Sequence, residues 1–370
     1  MTIYIFTILT LFAFAYIEIN YPVSSKTKRI MYVIAYILLV FQMGLRWETG
    51  TDWSNYLDHF ESIDDIASLS PLENGLEFGY NLSIWLVKWL SSEYTIFLLF
   101  HAIVFYIFLF YSFRRNTPYF FIALLLFYTA TMGVMGCNRQ LIALVICLCS
   151  LRYVLDKNPI KFFSLVFVAF NFHASAFLFI IYYFINRDIK PYALILILAA
   201  SIIIGNTSLP VTAFSFIGNL FGINVGKKVV FYLESASDVL AESGPSLLGL
   251  FKRLLFLFIF YYNRKRISKI LPYYNLMLNG YIAGLAFYFI FYNSLLIMIS
   301  RAGLYFNIME PLLLSSQICL YKRKENRIAI ACLLLLLSVL LFFQSIAPYP
   351  DLFLPYKGIF INSDYFRIMY

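Results

Sequence analysis

Charge is scarce in this sequence. Asp, Glu, Lys and Arg make up 13% of its 370 residues, about half of what a soluble domain carries, which excludes a water-facing globule around one core. Histidine is scarcer still: with three in the whole chain, the paired His ligands of a zinc centre are missing. The five cysteines (Cys137, Cys147, Cys149, Cys319 and Cys332) lie in or beside apolar runs without metal-ligand spacing and read as packing residues. No Gly-rich phosphate loop, internal repeat or low-complexity tract is present. The first apolar run leads into Glu18-Ile19-Asn20-Tyr21-Pro22 with neither a basic start nor a small-residue cleavage site, so it is expected to be a membrane span rather than a cleaved signal.

What fills the chain instead is apolar: 62% of residues are hydrophobic and 20% aromatic, the composition of an integral membrane protein. Short cytoplasmic loops retain Lys and Arg while translocated loops do not. Six basic clusters stand between apolar runs: Lys26, Lys28 and Arg29; Arg114 and Arg115; Arg152, Lys157 and Lys161; Arg187 and Lys190; Arg264, Lys265, Arg266 and Lys269; and Lys322, Arg323, Lys324 and Arg327. Together they hold eighteen of the 28 basic residues. If each is cytoplasmic and joins two spans, the chain is an all-α polytopic membrane helical bundle of about twelve transmembrane helices with both termini outside. Residues 160 to 186 decide the parity of that count, and two short helices meeting near Asn171-Phe172-His173 are expected there. The whole chain, 1–370, then reads as a single integral membrane domain. Its outward loops are 46–93, 206–247 and the stretch from about 346, with short turns near 137–139, 171–175 and 293–301.

The first outward loop is acidic, holding nine of the 19 Asp and Glu residues. It ends in Tyr80-Asn81-Leu82-Ser83-Ile84-Trp85-Leu86-Val87-Lys88-Trp89-Leu90, a pattern expected of a helix lying in the interface. Ten basic residues fall outside the clusters. Lys88, Lys227, Lys228, Lys357 and Arg367 are expected in water or at head groups. Arg46, Arg139, Lys252, Arg253 and Arg301 remain, each at or inside the outward end of a span. A cation there costs free energy, so several on one face suggest a shared anionic partner, and guanidinium suits phosphate because its fork donates two parallel hydrogen bonds.

Each candidate also has a plainer reading. An Arg at a span end snorkels to lipid phosphates. Arg301 lies nine residues before Glu310, about 13 Å at helical rise, and that carboxylate needs a partner or a proton. His173, followed by Ser175, is either a structural hydrogen-bonder or a base. Asp52 is either a solvated loop acid or part of a site, since Gly50 and Thr51 permit a turn that brings its carboxylate back toward Arg46 while Trp53 and Tyr56 offer surfaces for sugar stacking.

Gly44-Leu45-Arg46, Gly50-Thr51-Asp52-Trp53 and Tyr56, then Asn138-Arg139-Gln140, His173-Ala174-Ser175, and Arg301 with Tyr305-Phe306 resemble the EpsG-type branch of the Wzy polysaccharide polymerases. The resemblance spans most of the chain with its motifs in order. It implies a GT-C-like enzyme of the bacterial inner membrane that joins repeat units of an O-antigen, capsule or exopolysaccharide on that membrane's outer face. The donor would be a glycan on undecaprenyl pyrophosphate and the acceptor a sugar hydroxyl of a second lipid-linked unit. Membrane lipids surround it, a chain-length regulator and a flippase are implied partners, and neither nucleic acid nor cofactor nor metal is. Asp52 and His173 are the candidate bases, with Asp52 leading; Arg46, Tyr56, Arg139, Gln140, Arg253, Arg301 and Tyr305 are the candidate substrate contacts. The main rival is a transporter of lipid-linked oligosaccharide, although matching halves with interrupted helices are not found; an acyltransferase using His173 and a scaffold without chemistry are further rivals.

Overall fold

A computed structural model describes residues 1–71, 75–220, 247–295 and 298–367. It is all-helical: about 75% of the chain is helix, with no strand among the described residues. Most of the expected outward loop 206–247, including Lys227 and Lys228, lies outside the described residues. The chain forms two compact units, one of residues 1–153, 160–177 and 314–370, the other of 154–159 and 178–313.

In the first unit, helices α1 (Thr2–Asn20), α2 (Ser25–Gly44), α3 (Trp53–Ser62), α4 (Phe78–Lys88), α5 (Tyr94–Asn116), α6 (Phe120–Ala130), α7 (Asn138–Leu155) and α8 (Pro159–Phe170) follow in order. Ser24 caps α2, its hydroxyl accepting from the Thr27 amide at 3.1 Å, so the chain turns directly from α1 into the next apolar run. Helix α6 is apolar all round, and every residue from Phe120 to Thr129 is buried, as befits a helix enclosed by α1, α5 and the long helix 324–346. Leucines, isoleucines and phenylalanines on the outward faces of α1 (Ile5, Phe6, Leu9) and of 324–346 (Leu333, Leu336, Leu340) stay exposed, an arrangement suited to lipid rather than water.

Three of the basic clusters gather at one end of this unit. Lys28 and Arg114 both lie over the Tyr32 ring, at 5.9 and 4.9 Å, Arg115 and Arg152 both donate to the Tyr111 hydroxyl, at 3.1 and 2.8 Å, and Lys28 pairs with Glu18 at 2.9 Å. This common end is what the distribution of positive charge predicts for a cytoplasmic face.

The second unit contains a 3-10 helix (Ala174–Tyr183, from Leu178), α9 (Pro191–Gly205), α10 (Leu209–Leu220), α11 (Leu247–Ile267), α12 (Tyr274–Phe291), a π-helical turn (Met298–Ala302), α13 (Leu304–Asn307) and most of α14 (Met309–Ser316). The first unit closes with α15 (Lys324–Ile346).

Six of these helices are long and apolar enough to cross a membrane alone, and up to seven spans result if α9 and the start of α10, bent by 78°, count as one. About twelve were expected. Among the described residues part of the shortfall has a physical source: α6, α8 and the 3-10 helix are apolar but only 10 to 12 residues long, too short to cross about 30 Å of hydrocarbon. The break between α8 and the 3-10 helix falls at 171–173, where two short helices were expected to meet.

Candidate functional site

At the end of the first unit opposite its basic clusters, the loop after α2 returns over the bundle. Helices α3 and α4 give that loop its own apolar core: Trp53, Tyr56, Phe60, Ile63, Tyr80, Ile84 and Val87 pack on Tyr94, Phe97 and Leu98 of α5. This acidic segment thus folds by burying every third or fourth residue, while Asp58, Glu61, Asp64 and Asp65 stay exposed.

Two positions in this region require glycine. Gly50 has φ of 102°, and a Cβ added there would meet the Gly136 Cα at 2.7 Å, so the loop crosses the 136–137 turn at backbone contact. Gly79 donates its amide to the Asn171 carbonyl at 2.8 Å, and a Cβ there would meet that same oxygen. These contacts bring Asp52 against Cys137, whose Sγ lies 3.6 Å from Oδ2, and bring the start of α4 against the 171–174 break.

Arg139, second residue of α7, is the hub. Its Nη1 donates to Glu77 Oε2, its Nε donates to the Tyr56 hydroxyl at 3.3 Å, and its guanidinium carbon lies 5.7 Å from the centre of the Tyr56 ring. The other Glu77 oxygen accepts the Ala174 amide at 3.0 Å. Burial works to raise the Glu77 carboxyl, but Arg139, His173 and that amide together hold its pKa below the usual carboxylate value. Burial pushes the Tyr56 phenol up to about 12 despite Arg139, so its hydroxyl keeps its proton. His173 Nδ1 accepts the Ser175 amide at 3.3 Å and lies 2.6 Å from the Ser175 hydroxyl. An amide can only donate, so in the neutral ring the proton sits on Nε2.

Arg46 is not at the surface. It is 1% exposed, donating Nη1 to the Met43 carbonyl at 2.5 Å and Nη2 to Asn138 Oδ1 at 2.6 Å, while the Asn138 carbonyl bonds the His101 ring at 2.7 Å. Among the described residues it has no bond to Asp52, so the expected return of that carboxylate to Arg46 does not occur. Burial pulls the Arg46 pKa down from its ordinary value; the guanidinium lies beneath the site and supports the residue before Arg139. Gln140 is likewise buried, at 1%.

The remaining candidates belong to the second unit. Arg253 lies over the Tyr288 ring at 4.7 Å and its carbonyl accepts the Tyr281 hydroxyl at 3.0 Å. Arg301 stands in the π-helical turn. Tyr305 is fully buried, its carbonyl accepting the Tyr182 hydroxyl at 3.0 Å. Glu310 pairs with Lys252 at 3.2 Å, so the partner that a carboxylate at that depth needs comes from α11.

Two expectations are overturned. Lys357 and Arg367, expected in water or at head groups, are each 5% exposed, because residues 347–367 fold back over the 46–50 loop. Lys357 pairs with Glu48, and Arg367 donates to the Glu48 carbonyl at 2.6 Å. The sequence marks Glu77 only as one of the loop acids, gives His101 no role and shows Asn138 only as part of a motif, since the partners of these two lie 37 to 92 residues away. The Glu-Phe-Gly-Tyr start of α4, an acid beside a glycine, was the available signal for Glu77.

Compared with known proteins, the chain matches the EpsG family model over residues 29–358. No curated protein and no solved structure matches it.

Proposed function

The chain belongs to the EpsG family, and from that premise we propose that it is a polysaccharide polymerase, joining undecaprenyl-pyrophosphate-linked oligosaccharide repeat units at the outer face of the bacterial inner membrane. The observation that carries the reading is Arg139: a guanidinium at the start of an apolar helix, held by Glu77 and Tyr56, with Asp52 against Cys137 two residues before it and His173 acting on the same Glu77 carboxylate. A pyrophosphate leaving group develops negative charge as its bond to the anomeric carbon breaks, and a guanidinium already aimed at it stabilises that charge without reorganising. No metal ion or cofactor is needed for this role.

Acid and base roles divide between the two candidates. The acceptor hydroxyl loses its proton to a carboxylate, Asp52. His173 presents Nε2–H and donates a hydrogen bond to the departing phosphate oxygens, a task its tautomer suits and proton abstraction does not. Arg46 acts from beneath by fixing Asn138, the residue before Arg139, and Gln140 is buried in the same turn. Arg253 and Arg301 of the second unit are proposed as phosphate contacts, whereas Tyr305, fully buried, is proposed to hold Tyr182 through its carbonyl. We further propose about twelve crossings in a GT-C-like arrangement, to which the short apolar helices contribute in part, with a chain-length regulator and a flippase as working partners.

Purified protein in a bilayer, given lipid-linked repeat units, tests the reading. Longer chains support it; movement of the unit between leaflets without lengthening supports a transporter and sinks it.

A further inference from the structure

The segment after α15 does more than end the bundle. Its Lys357 carbonyl accepts the Trp47 amide at 3.0 Å, and its Ile359 amide donates to the Leu45 carbonyl at 3.0 Å, so Arg46 and Gly358 form a two-residue antiparallel bridge. Tyr356 donates its hydroxyl to the Gln42 carbonyl at 2.9 Å. Glu48, between these contacts and Gly50, has φ of 43°, the left-handed region that a side chain with a Cβ rarely occupies.

Such a conformation persists only where the surroundings over-determine it, and it concentrates where geometry serves function. Here Glu48 is gripped at both ends. Lys357 holds its carboxylate, while Arg367 donates to its carbonyl and, at 3.0 Å, to the Thr49 hydroxyl. Arg367 is anchored in turn by the Pro355 carbonyl. Two residues beyond Gly50 stands Asp52, at the mouth of α3, so the angle at which Glu48 leaves α2 sets where Asp52 and Tyr56 arrive. Both gripping side chains are buried, although a cation gains hydration by staying in water.

We propose that residues 355–367 form a strap whose Lys357 and Arg367 are positioning residues: they hold the 46–52 loop in its left-handed turn and thereby place Asp52 for the reaction. The inference rests on the polymerase reading for its catalytic consequence, and on the loop geometry alone for its structural one.

The test uses the full-length protein in lipid nanodiscs, comparing R367M and K357M with wild type by amide hydrogen exchange and by chain extension of a lipid-linked repeat unit. Exchange over residues 46–52 is expected to quicken about tenfold with the amides of α2 and α7 unchanged. kcat is expected to fall about tenfold or more while KM for the donor moves little, because a displaced group is lost to the chemical step rather than to binding. R367K, keeping the charge but not the fork, recovers part of both, and it carries the comparison if R367M does not accumulate. Unchanged exchange over 46–52 overturns the strap. So does faster exchange throughout the unit, which marks a brace of the fold, or wild-type kcat in both variants. A wild-type protein that extends no chains sinks the polymerase reading instead, and the exchange comparison then decides the strap by itself.

Discussion

Arg139 and Glu77, 62 residues apart in sequence, meet as a hydrogen-bonded ion pair whose side chains keep 19% and 21% of their surface. One carboxylate therefore spans two elements, α7 through the guanidinium and the 171–174 break through the Ala174 amide.

Removing either partner leaves a charge largely withdrawn from water. Glu77→Ala and Arg139→Ala should each destabilise the protein, and the double variant should cost less than their sum by about 1–3 kcal/mol. Denaturant titration in mixed micelles measures this; strict additivity would mean that the pair does not couple.

The same pair sets an acid response. Because the folded-state pKa of Glu77 is held below its ordinary 4.5, the carboxylate contributes stability that is fully present above that value and is lost as pH falls through the folded one. Burial lowers the pKa of His59 as well, against its bond to Asn81, so it too loses stability on acidification, but from nearer its ordinary 6.5. Glu77→Gln should therefore flatten the unfolding profile below about pH 4.5 while leaving the higher step in place. An identical acid limb in wild type and variant would remove Glu77 as its source.

Asp52→Asn keeps the size and much of the hydrogen bonding of the side chain. As the proposed base it should cost about 10²- to 10⁴-fold in turnover with donor binding retained, measured by chain extension and by binding of the lipid-linked donor. Near-normal extension would discard Asp52 as the base.

Arg46 is expected to act through Asn138 rather than on substrate. Arg46→Met and Asn138→Ala should each lower kcat, and the double variant should be no worse than the more severe single one, since both break one chain of support to Arg139. Independent, multiplying losses in steady-state kinetics would place Arg46 in direct contact with substrate.

Sidedness is open to labelling. Cysteine at Asp58, which is exposed, should react with a membrane-impermeant thiol reagent in cells with a permeabilised outer membrane, and cysteine at Lys265 should not. Labelling at 265 alone would move the candidate site to the inner face.

Composition and charge spacing were enough to show a helical chain rich in apolar segments, the end at which its basic residues collect, and the break near Asn171. These follow from local rules: each depends on residues within a few turns of one another, or on counting charges between apolar runs. The motifs around Arg46, Asp52, Arg139 and His173 were legible too, as residue types that are costly at span ends.

Which of them touch was decided elsewhere. Nothing in Trp53-Ser54-Asn55-Tyr56 says that its tyrosine meets Arg139, and nothing near Arg367 says that it will be buried against Glu48, 319 residues away. Side chains of like type part company through packing: Arg46 sinks beneath the site because Asn138 and Met43 satisfy its donors, whereas Arg139 keeps part of its surface because Glu77 and Tyr56 hold it at the rim. Hydrogen-bond partners across long separations are chosen only when the helices are already packed, so exposure and contact belong to the tertiary structure, while helix, charge and motif belong to the chain.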